Sequence, residues 1–293
     1  MHLVTFDKNG GDQSGRATAG VRRDGAIVDL SVAAPDLPGG WPAIFASGSM
    51  DRVAEAVRDA GEDAVVAAAD LRLMVPIPRP PKILCIGLNY RTHAEETGMA
   101  IPDYPIVFTR YATSMVAHGA PLIRPASSDQ FDFEAELVAV IGTGGRHIPK
   151  ERALDHVVGY SIFNEGSVRD YQFKSSQWAM GKNFDDSGAF GPDIVTADEL
   201  PPGAAGLRIQ CRLNGETVQD SDIDDLIFDV ATLVTELSAV MTLEPGDIIV
   251  TGTPPGVGFV RKPPLFMKAG DVCEVEIEGI GTLRNSVVDE GRA

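Results

Sequence analysis

The sequence predicts a mixed-β chain of the α+β class, in which a small N-terminal domain precedes a larger one. Three observations support this prediction. The 293 residues include 31 Gly and 20 Pro, which is typical of a turn-rich chain. Most apolar runs have the length of strands, and only one long stretch has helical spacing. A proline-rich segment at 76–82 divides the chain, so we expect a linker there between domains at 1–75 and 83–293.

The N-terminal domain is predicted to contain short strands followed by one helix. The strands are HLVTF, TAGVRR and AIVDL, and the helix lies around Met50 to Ala60. The next segment, PIPRPPK from Pro76 to Lys82, has too many prolines for a helix or a central strand. This segment is therefore the expected linker.

The larger domain is predicted to consist mainly of strands. It opens with the buried run ILCIGLNY, and further strands are expected at PIVFTR, FDFEAELVAVIG, VVGYSIFN, LRIQCRLNG, DIIVTG and DVCEVEIEG. One long helix is predicted from Ile227 to Met241, where apolar residues recur on one face, and Pro245 ends it.

The composition argues against several classes of function. A formal net charge of −17 is unsuited to nucleic acid, whose phosphates require clustered Lys and Arg. No run approaches the roughly 18 apolar residues of a membrane span. The three cysteines are far apart and form no disulfide framework, which favours a reducing cytoplasm. We therefore expect a cytoplasmic protein that acts on a small molecule, without nucleic-acid or membrane partners.

The stretch FDFEAELVAVIG places acidic and apolar residues on one face of a strand. At period 2, Asp132, Glu134 and Glu136 share a face with Val138 and Val140. The valines indicate that this face is buried, yet a buried carboxylate requires a partner. A divalent cation is one such partner, and oxygen ligands favour Mg²⁺, Mn²⁺ or Ca²⁺. Arginine partners, or a wet strand end, are the alternative, and the spacing alone does not choose between them.

Five motifs follow one another along the larger domain. GLNYRTHAEETG comes first, with His93 and Glu96 on one face of a helical turn, and the acidic strand is second. VGYSIFNEGSVRDYQ, GKNFDDSGAFGP and the glycine-rich turn TGTPPGVG complete the order. Together they resemble the fumarylacetoacetate hydrolase family over roughly residues 80–290. The resemblance implies that family's β-roll or barrel catalytic domain and, as is common there, a homodimer.

The resemblance also implies a metal site and a catalytic pair. The metal, usually Mg²⁺, would be held by Glu134, Glu136 and Glu165. Lys182 would lie beside it and supply positive charge to a 2-oxo acid or its enolate. His93 and Glu96 would form a dyad in which Glu96 orients His93 to deprotonate water.

Four further residues are expected to bind substrate. Thr253 and its glycine-rich turn match the family's site for the substrate carboxylate. Arg169 and Gln172 are expected to contact the substrate or to support the residues that do. Arg110, in the loop RYATSMVAHG, is a candidate contact for a distal group, whereas Asp132 and Asp170 are expected to be structural.

The implied activity is Mg²⁺-dependent hydrolysis of a C–C bond in an acylpyruvate or related 2,4-dioxo acid, with release of pyruvate, in the catabolism of sugar acids or aromatic compounds. The water-activating dyad favours this reaction. The same site also serves decarboxylation, tautomerisation, isomerisation or hydration of 2-oxo acids. A binding protein without turnover is a further alternative, because Glu165 stands where most family members have Asp. The extra methylene displaces that carboxylate by about 1.5 Å, one C–C bond.

Overall fold

A computed structural model describes residues 1–8 and 17–291 of the chain. Within these residues the strands are β1 (His2–Asp7), β2 (Ala17–Arg23), β3 (Ala26–Asp29), β4 (Val65–Ala67), β5 (Arg72–Leu73), β6 (Ile83–Gly87), β7 (Ile106–Thr109), β8 (Met115–Val116), β9 (Leu122–Arg124), β10 (Phe131–Asp132), β11 (Ala135–Ile141), β12 (Val157–Asn164), β13 (Ser167–Val168), β14 (Gly188–Thr196), β15 (Arg208–Leu213), β16 (Glu216–Asp222), β17 (Ile248–Val250), β18 (Val272–Ile277) and β19 (Gly281–Asp289).

The α-helices are α1 (Leu30–Ala33), α2 (Trp41–Ala46), α3 (Met50–Asp59), α4 (Arg91–Thr97), α5 (Arg169–Gln172), α6 (Ala179–Lys182) and α7 (Val230–Val240). Short 3-10 helices lie at Glu62–Ala64, Ala68–Asp70, Ala112–Ser114, Lys150–His156, Ala197–Glu199, Pro202–Ala204, Ile223–Asp225 and Gly258–Val260. Within the described residues, no helix is long and apolar enough to cross a membrane.

One large sheet runs through the molecule in the order β4-β3-β2-β1-β14-β12-β11-β17-β6-β7, with β5 beside β1 and β8 beside β14. A second sheet has the order β16-β15-β18-β19-β9, and β10 pairs with β13. Strands β11, β12 and β14 pack against β15, β18 and β19, so the two sheets enclose a core. The predicted α+β class with many short strands is confirmed.

The N-terminal strands extend the large sheet. β1 pairs antiparallel with β14, where His2 faces Val195 and Leu3 faces Ile194. The Arg22 guanidinium reinforces this junction by donating from Nε to Asp193 Oδ2 at 2.7 Å. The domain boundaries at 1–75 and 83–293 stay a prediction, and the two parts share a continuous ladder of strands.

The two faces of β11 lie in different apolar clusters. Leu137, Ala139 and Ile141 pack in the core between the sheets. Val138 and Val140 pack on the opposite face with residues from the N-terminal helices, including Trp41 and Ile44 of α2. Both faces are therefore buried, and the prediction that the acidic residues lie on a buried face is confirmed.

The predicted helix from Ile227 to Met241 begins three residues later, at Val230. The Asn89 side chain accepts from Phe228 N and donates to Phe228 O, which holds this segment out of helical conformation. Asp229 then caps the helix by accepting from Thr232 N at 2.7 Å. The strands that were not predicted are the short β4, β5, β8, β9 and β13 and the longer β14, β16 and β19. Of these, β14 contains the Gly191–Pro192 pair that usually interrupts a strand.

Candidate active site

Three glutamates meet where β11 begins and β12 ends. Glu136 lies in β11, Glu134 lies in the break between β10 and β11, and Glu165 follows β12. The antiparallel register places Ala135 opposite Asn164, and Glu165 N donates to Glu134 O at 2.8 Å. One carboxylate oxygen from each glutamate lies within 4.8 Å of the others, and all three side chains are buried. Glu165 therefore reaches the cluster despite its extra methylene.

Buried cations surround this acidic cluster. Lys182 Nζ donates to Glu134 Oε2 at 2.5 Å and to Glu165 Oε2 at 3.0 Å. Arg169 Nη2 lies 2.7 Å from Glu134 Oε1, although the two groups are not aligned as a hydrogen bond. Arg110 lies behind Glu165, with Nη1 4.0 Å from Glu165 Oε1. Basic side chains, the alternative partners expected for buried acids, are thus present. They do not form a hydrogen bond with every carboxylate oxygen.

The electrostatics of the glutamates differ. Burial raises the pKa of Glu134, but Arg169 and Lys182 outweigh burial and bring that pKa down to about 2. Burial and the charges of Glu165 and Glu134 raise the pKa of Glu136 well above its usual value. The pKa of Lys182 is raised, because Glu134 and Glu165 together outweigh its burial. The raised pKa of Glu136 favours its neutral, protonated form when no cation is bound, because burial and two neighbouring carboxylates disfavour its negative charge.

The donor set fits a hard divalent cation. Within the described residues, Glu165 Oε1 is buried and has no hydrogen-bond partner. Four buried acids, the three glutamates and Asp132, face three buried cations, so these cations cannot balance all four carboxylates in their ionised form. Carboxylate oxygens are the ligands that Mg²⁺, Mn²⁺ and Ca²⁺ prefer. Glu165 Oε1, a buried acceptor without a donor, lies beside two further carboxylates, and a bound cation of this class would supply the missing partner.

His93 and Glu96 lie on α4, which covers the cavity. His93 Nδ1 is 3.3 Å from Glu96 Oε2, and the His93 side chain is 7% exposed. Both oxygens of Glu96 accept from Gly256 N, each at 3.1 Å. Burial raises the pKa of Glu96, but the bonds from His93 and Gly256 bring it below its usual value. Glu96 thereby joins α4 to the glycine-rich turn and positions the imidazole.

The glycine-rich turn holds one glutamate from the other side. Gly252 N donates to Glu136 Oε2 at 2.6 Å. Thr253 Oγ1 accepts from Gln219 Nε2 at 2.8 Å, and Gln219 Oε1 accepts from Ala135 N beside the acidic cluster. At Gly256, a Cβ would lie 2.2 Å from Val218 O, so the turn fits only because this residue is glycine. Gln219 was not identified from the sequence, because its role depends on contacts distant along the chain.

Asp132 supports the site without lining the cavity. It accepts from Arg169 Nε at 2.8 Å and from the backbone amides of Gly258 and Phe259. Arg169 also donates from Nη1 to Gln172 Oε1 at 2.9 Å, and its guanidinium lies 4.5 Å from the centre of the Phe259 ring. Asp132 thus joins Arg169 to the segment that follows the glycine-rich turn.

The expected site residues surround one cavity of about 40 Å³. All the expected metal ligands line it, and so do all the other expected site residues except Glu96 and Arg110. The lining therefore includes His93, Glu134, Glu136, Glu165, Arg169, Gln172, Lys182 and Thr253. Glu96 contacts His93 from outside the cavity, and Arg110 lies beneath the cluster, where it donates to Gly166 O and Ser187 Oγ. The remaining walls are apolar and aromatic, including Ile86, Phe108, Phe173, Trp178 and Phe259. The sequence motifs did not single out these aromatic residues.

Residues 82–288 match the family model described as fumarylacetoacetate (FAA) hydrolase C-terminal. The oxaloacetate tautomerase fahd2, mitochondrial, of Xenopus laevis is 40% identical over 98% of this chain and 90% of its own length. A putative HpcE protein from Mycobacterium smegmatis has a TM-score of 0.88 and 33% identity, over 99% of this chain and 100% of its own. Maleylpyruvate hydrolase from Sphingobium sp. SYK-6, in complex with manganese(II) and pyruvate, has a TM-score of 0.80 and 27% identity over 99% and 100% of the two chains.

Proposed function

This chain belongs to the fumarylacetoacetate hydrolase family, a family of enzymes, and we propose that it is a divalent-cation-dependent tautomerase of small 2-oxo acids of the oxaloacetate type. One observation carries the proposal: the three glutamates, Lys182 and His93 all line the same small cavity. Enolisation next to a 2-oxo group needs a base, and it needs positive charge where the oxyanion develops. The name of the Xenopus laevis relative supports the choice of substrate class.

Glu134, Glu136 and Glu165 would hold the cation, with Mg²⁺ as the expected metal and Mn²⁺ or Ca²⁺ as alternatives. A bound cation of this kind supplies Lewis acidity to carboxylate and carbonyl oxygens. Gly252 N fixes one oxygen of Glu136, and Lys182 fixes oxygens of the other two glutamates. These contacts orient the carboxylates before a ligand arrives.

His93 is the proposed base for the carbon next to the 2-oxo group. Its Nδ1 faces Glu96, which leaves Nε2 to receive a proton from C3 of the keto form. The C–H electron pair then forms the C2–C3 double bond, and the C2 oxygen gains the negative charge. Lys182 provides positive charge for that oxygen and can donate the proton that completes the enol. His93 gains one proton and Lys182 loses one, so tautomerisation consumes no proton overall. Proton exchange with solvent then returns the imidazole and the ammonium to their starting states.

Thr253 and Gln172 are the proposed contacts for the substrate carboxylates, and Arg169 positions Gln172 through the bond between Nη1 and Oε1. Arg110 is fully buried and bonded to the backbone and to serine hydroxyls. We therefore propose that Arg110 acts on the site through the charge of Glu165 rather than by touching substrate.

The test is a tautomerase assay on oxaloacetate, monitored by the ultraviolet absorbance of the enol. Protein stripped with a chelator should be inactive, and Mg²⁺ or Mn²⁺ should restore activity. Full activity in the metal-free protein would contradict the assignment of the three glutamates. An unchanged enol decay rate with either metal would contradict the tautomerase function itself.

Hydrolysis of a C–C bond in an acylpyruvate is the second candidate. The observation that favours it is the His93–Glu96 pair at 3.3 Å, which suits deprotonation of water for attack on a distal carbonyl. The Sphingobium relative is a hydrolase described with manganese(II) and pyruvate. Release of pyruvate from acetylpyruvate or maleylpyruvate distinguishes the two candidates. Metal and oxalate binding without either reaction would instead support a binding protein.

We also propose that the protein is a homodimer. Strand β7 ends the strand order of the large sheet, and it exposes Ile106 and Val107. The segment before it exposes Met99, Ile101 and Tyr104. An exposed apolar sheet edge is a surface that a second copy can cover. Light scattering after size exclusion tests this, and a monomer at micromolar concentration would contradict it.

A reducing compartment, the cytoplasm in our proposal, suits the three buried thiols Cys85, Cys211 and Cys273. The Xenopus laevis relative is named as mitochondrial. Cell fractionation with marker enzymes distinguishes the cytoplasm from an organelle.

A further inference from the structure

Trp178 contacts the backbone at the end of strand β6. A Cβ built on Gly87 would lie 2.1 Å from Cζ3 and 2.7 Å from Cη2 of Trp178, so the six-membered ring occupies the place where a side chain would be. The backbone of Gly87 is not among those with positive φ, and it pairs with Ile106 in a regular ladder. Glycine is therefore required at position 87 by the indole and not by the turn of the chain.

The indole forms part of the cavity wall next to the catalytic lysine. The rings of Trp178 and Phe108 meet edge to face with centroids 5.6 Å apart. Lys182 Nζ lies 5.2 Å from the centroid of the same Phe108 ring. Trp178 also directly precedes α6, the short helix that carries Lys182. The indole thus lies one aromatic ring away from the ammonium that contacts the glutamates.

The cavity wall around Trp178 is suited to limiting the length of an apolar tail on a bound 2-oxo acid. Among the described residues that line the cavity, the basic side chains Arg169 and Lys182 are already paired with carboxylates. Ile86, Phe108 and Trp178 provide apolar surface there. The indole is a large group beside a cavity of about 40 Å³, so it forms a substantial part of this wall.

We infer that Trp178, seated on Gly87, determines the chain length of the 2-oxo acids that the site accepts. The inference rests on the proposed function and adds the substrate class, namely 2-oxo acids with a short tail. With the indole in place, methylenes added to the tail meet the aromatic ring. Without the indole, the tail enters a space walled by Ile86 and Phe108, and each added methylene contributes about a fourfold gain in affinity.

The test uses straight-chain 2-oxo acids, from pyruvate to 2-oxooctanoate, as ligands in saturating Mn²⁺, with Kd measured by titration calorimetry. The wild type should bind acids up to 2-oxovalerate, whose tail is as long as that of oxaloacetate, and lose affinity for longer acids. Trp178→Ala should keep its affinity for pyruvate and bind the longer acids more tightly, by about fourfold per methylene over the first two or three. Met180→Ala is the matched control, because Met180 lies two residues after Trp178, on α6, and is 67% exposed. It should keep the wild-type profile.

Each outcome has one meaning. Pyruvate binding with the same chain-length profile in the wild type and in Trp178→Ala overturns the role of Trp178 and leaves the proposed function standing. If no 2-oxo acid binds either protein in Mn²⁺, the proposed function is wrong and the inference with it.

A second variant tests the contact without relying on ligands. In Gly87→Ala the new methyl group must displace the indole, so quenching of Trp178 fluorescence by acrylamide should increase. The other tryptophan, Trp41, is buried and donates to Val4 O, and it contributes equally in both proteins. Unchanged quenching would show that the indole does not rest on Gly87, which would overturn the inference.

Discussion

Replacing Glu136 by glutamine should have opposite effects on stability with and without a divalent cation. Glu136, Glu134 and Glu165 each place a carboxylate oxygen within 4.8 Å of the others. At this distance, two like charges repel by about 3 kcal/mol for an effective dielectric constant of about 20. Because the pKa of Glu136 is raised, the metal-free protein avoids part of this repulsion by keeping a proton on Glu136, which itself costs free energy at neutral pH. The Glu136→Gln substitution removes that cost, keeps the shape and leaves an amide oxygen that can still accept from Gly252 N. Without metal, the variant should therefore be more stable than the wild type by about 1 to 3 kcal/mol, because Lys182 already screens part of the repulsion.

The cation should reverse the order. A ligand at 1,000 times its Kd stabilises the folded state by about 4.1 kcal/mol, or about 7 °C in Tm for a chain of this size, which exceeds the variant's advantage of about 1 to 3 kcal/mol without metal. The wild type should gain this in Mg²⁺, and Glu136→Gln should gain little because it lacks one charged ligand. Scanning calorimetry in chelator and in Mg²⁺ measures all four states, and Glu216→Gln, at an exposed glutamate, is the control. A variant less stable than the wild type in chelator would refute the reasoning, since the internal cations would then satisfy Glu136 fully.

Other changes have equally specific outcomes. His93→Ala and Glu96→Gln should each lower the enolisation rate by about 10²-fold or more, and the double variant should be little worse than the poorer single one. All three variants should keep the increase in Tm that Mg²⁺ produces. Loss of that increase would mean that α4 holds the metal site together. Lys182→Met should slow turnover by about 10²-fold or more. The same variant should bind Mg²⁺ more tightly, because the ammonium of the wild type occupies oxygens of two glutamates and repels the cation. Weaker Mg²⁺ binding in a calorimetric titration would contradict this. Asp193→Asn should cost about 1 to 3 kcal/mol at neutral pH, because Asp193 accepts two bonds from Arg22. Burial raises the pKa of Asp193, but Arg22 outweighs burial and lowers it. The stabilisation by Asp193 is therefore present above the unfolded pKa of about 3.9 and is lost as the pH falls through the lower folded pKa. A difference in unfolding free energy between wild type and variant that persists below that range would contradict the assignment.

The acidic strand shows how far the sequence leads. Alternation alone placed Glu134 and Glu136 on one face with Val138 and Val140, and the clusters on both sides of β11 confirm that this face is buried. The break between β10 and β11 at Glu134 was not predictable, because the alternation in FDFEAELVAVIG continues through this point without a Gly or Pro.

Other parts of the site depend on contacts between distant segments. Arg110 was expected near a distal group of the substrate, and it lies beneath Glu165 because Gly166 O and Ser187 Oγ accept its N–H groups. Neither partner is near it in sequence. Likewise, Trp178 belongs to no recognised motif, and only the fold reveals that Gly87 makes room for it. Periodicity predicts which face of an element is buried, whereas side-chain partners across the sheet require coordinates.

The central claim is that this site removes a proton next to the 2-oxo group, and exchange of that proton with solvent tests it most directly. 2-Oxobutyrate offers exchangeable hydrogens at C3 and no bond for a hydrolase of acylpyruvates to cleave. In D₂O with Mg²⁺, the wild type should accelerate loss of the C3 proton signal in ¹H NMR spectra, and chelator or His93→Ala should abolish the acceleration. If 2-oxobutyrate binds to the Mg²⁺-loaded wild type and its C3 protons exchange no faster than in buffer, enolisation at this site is contradicted.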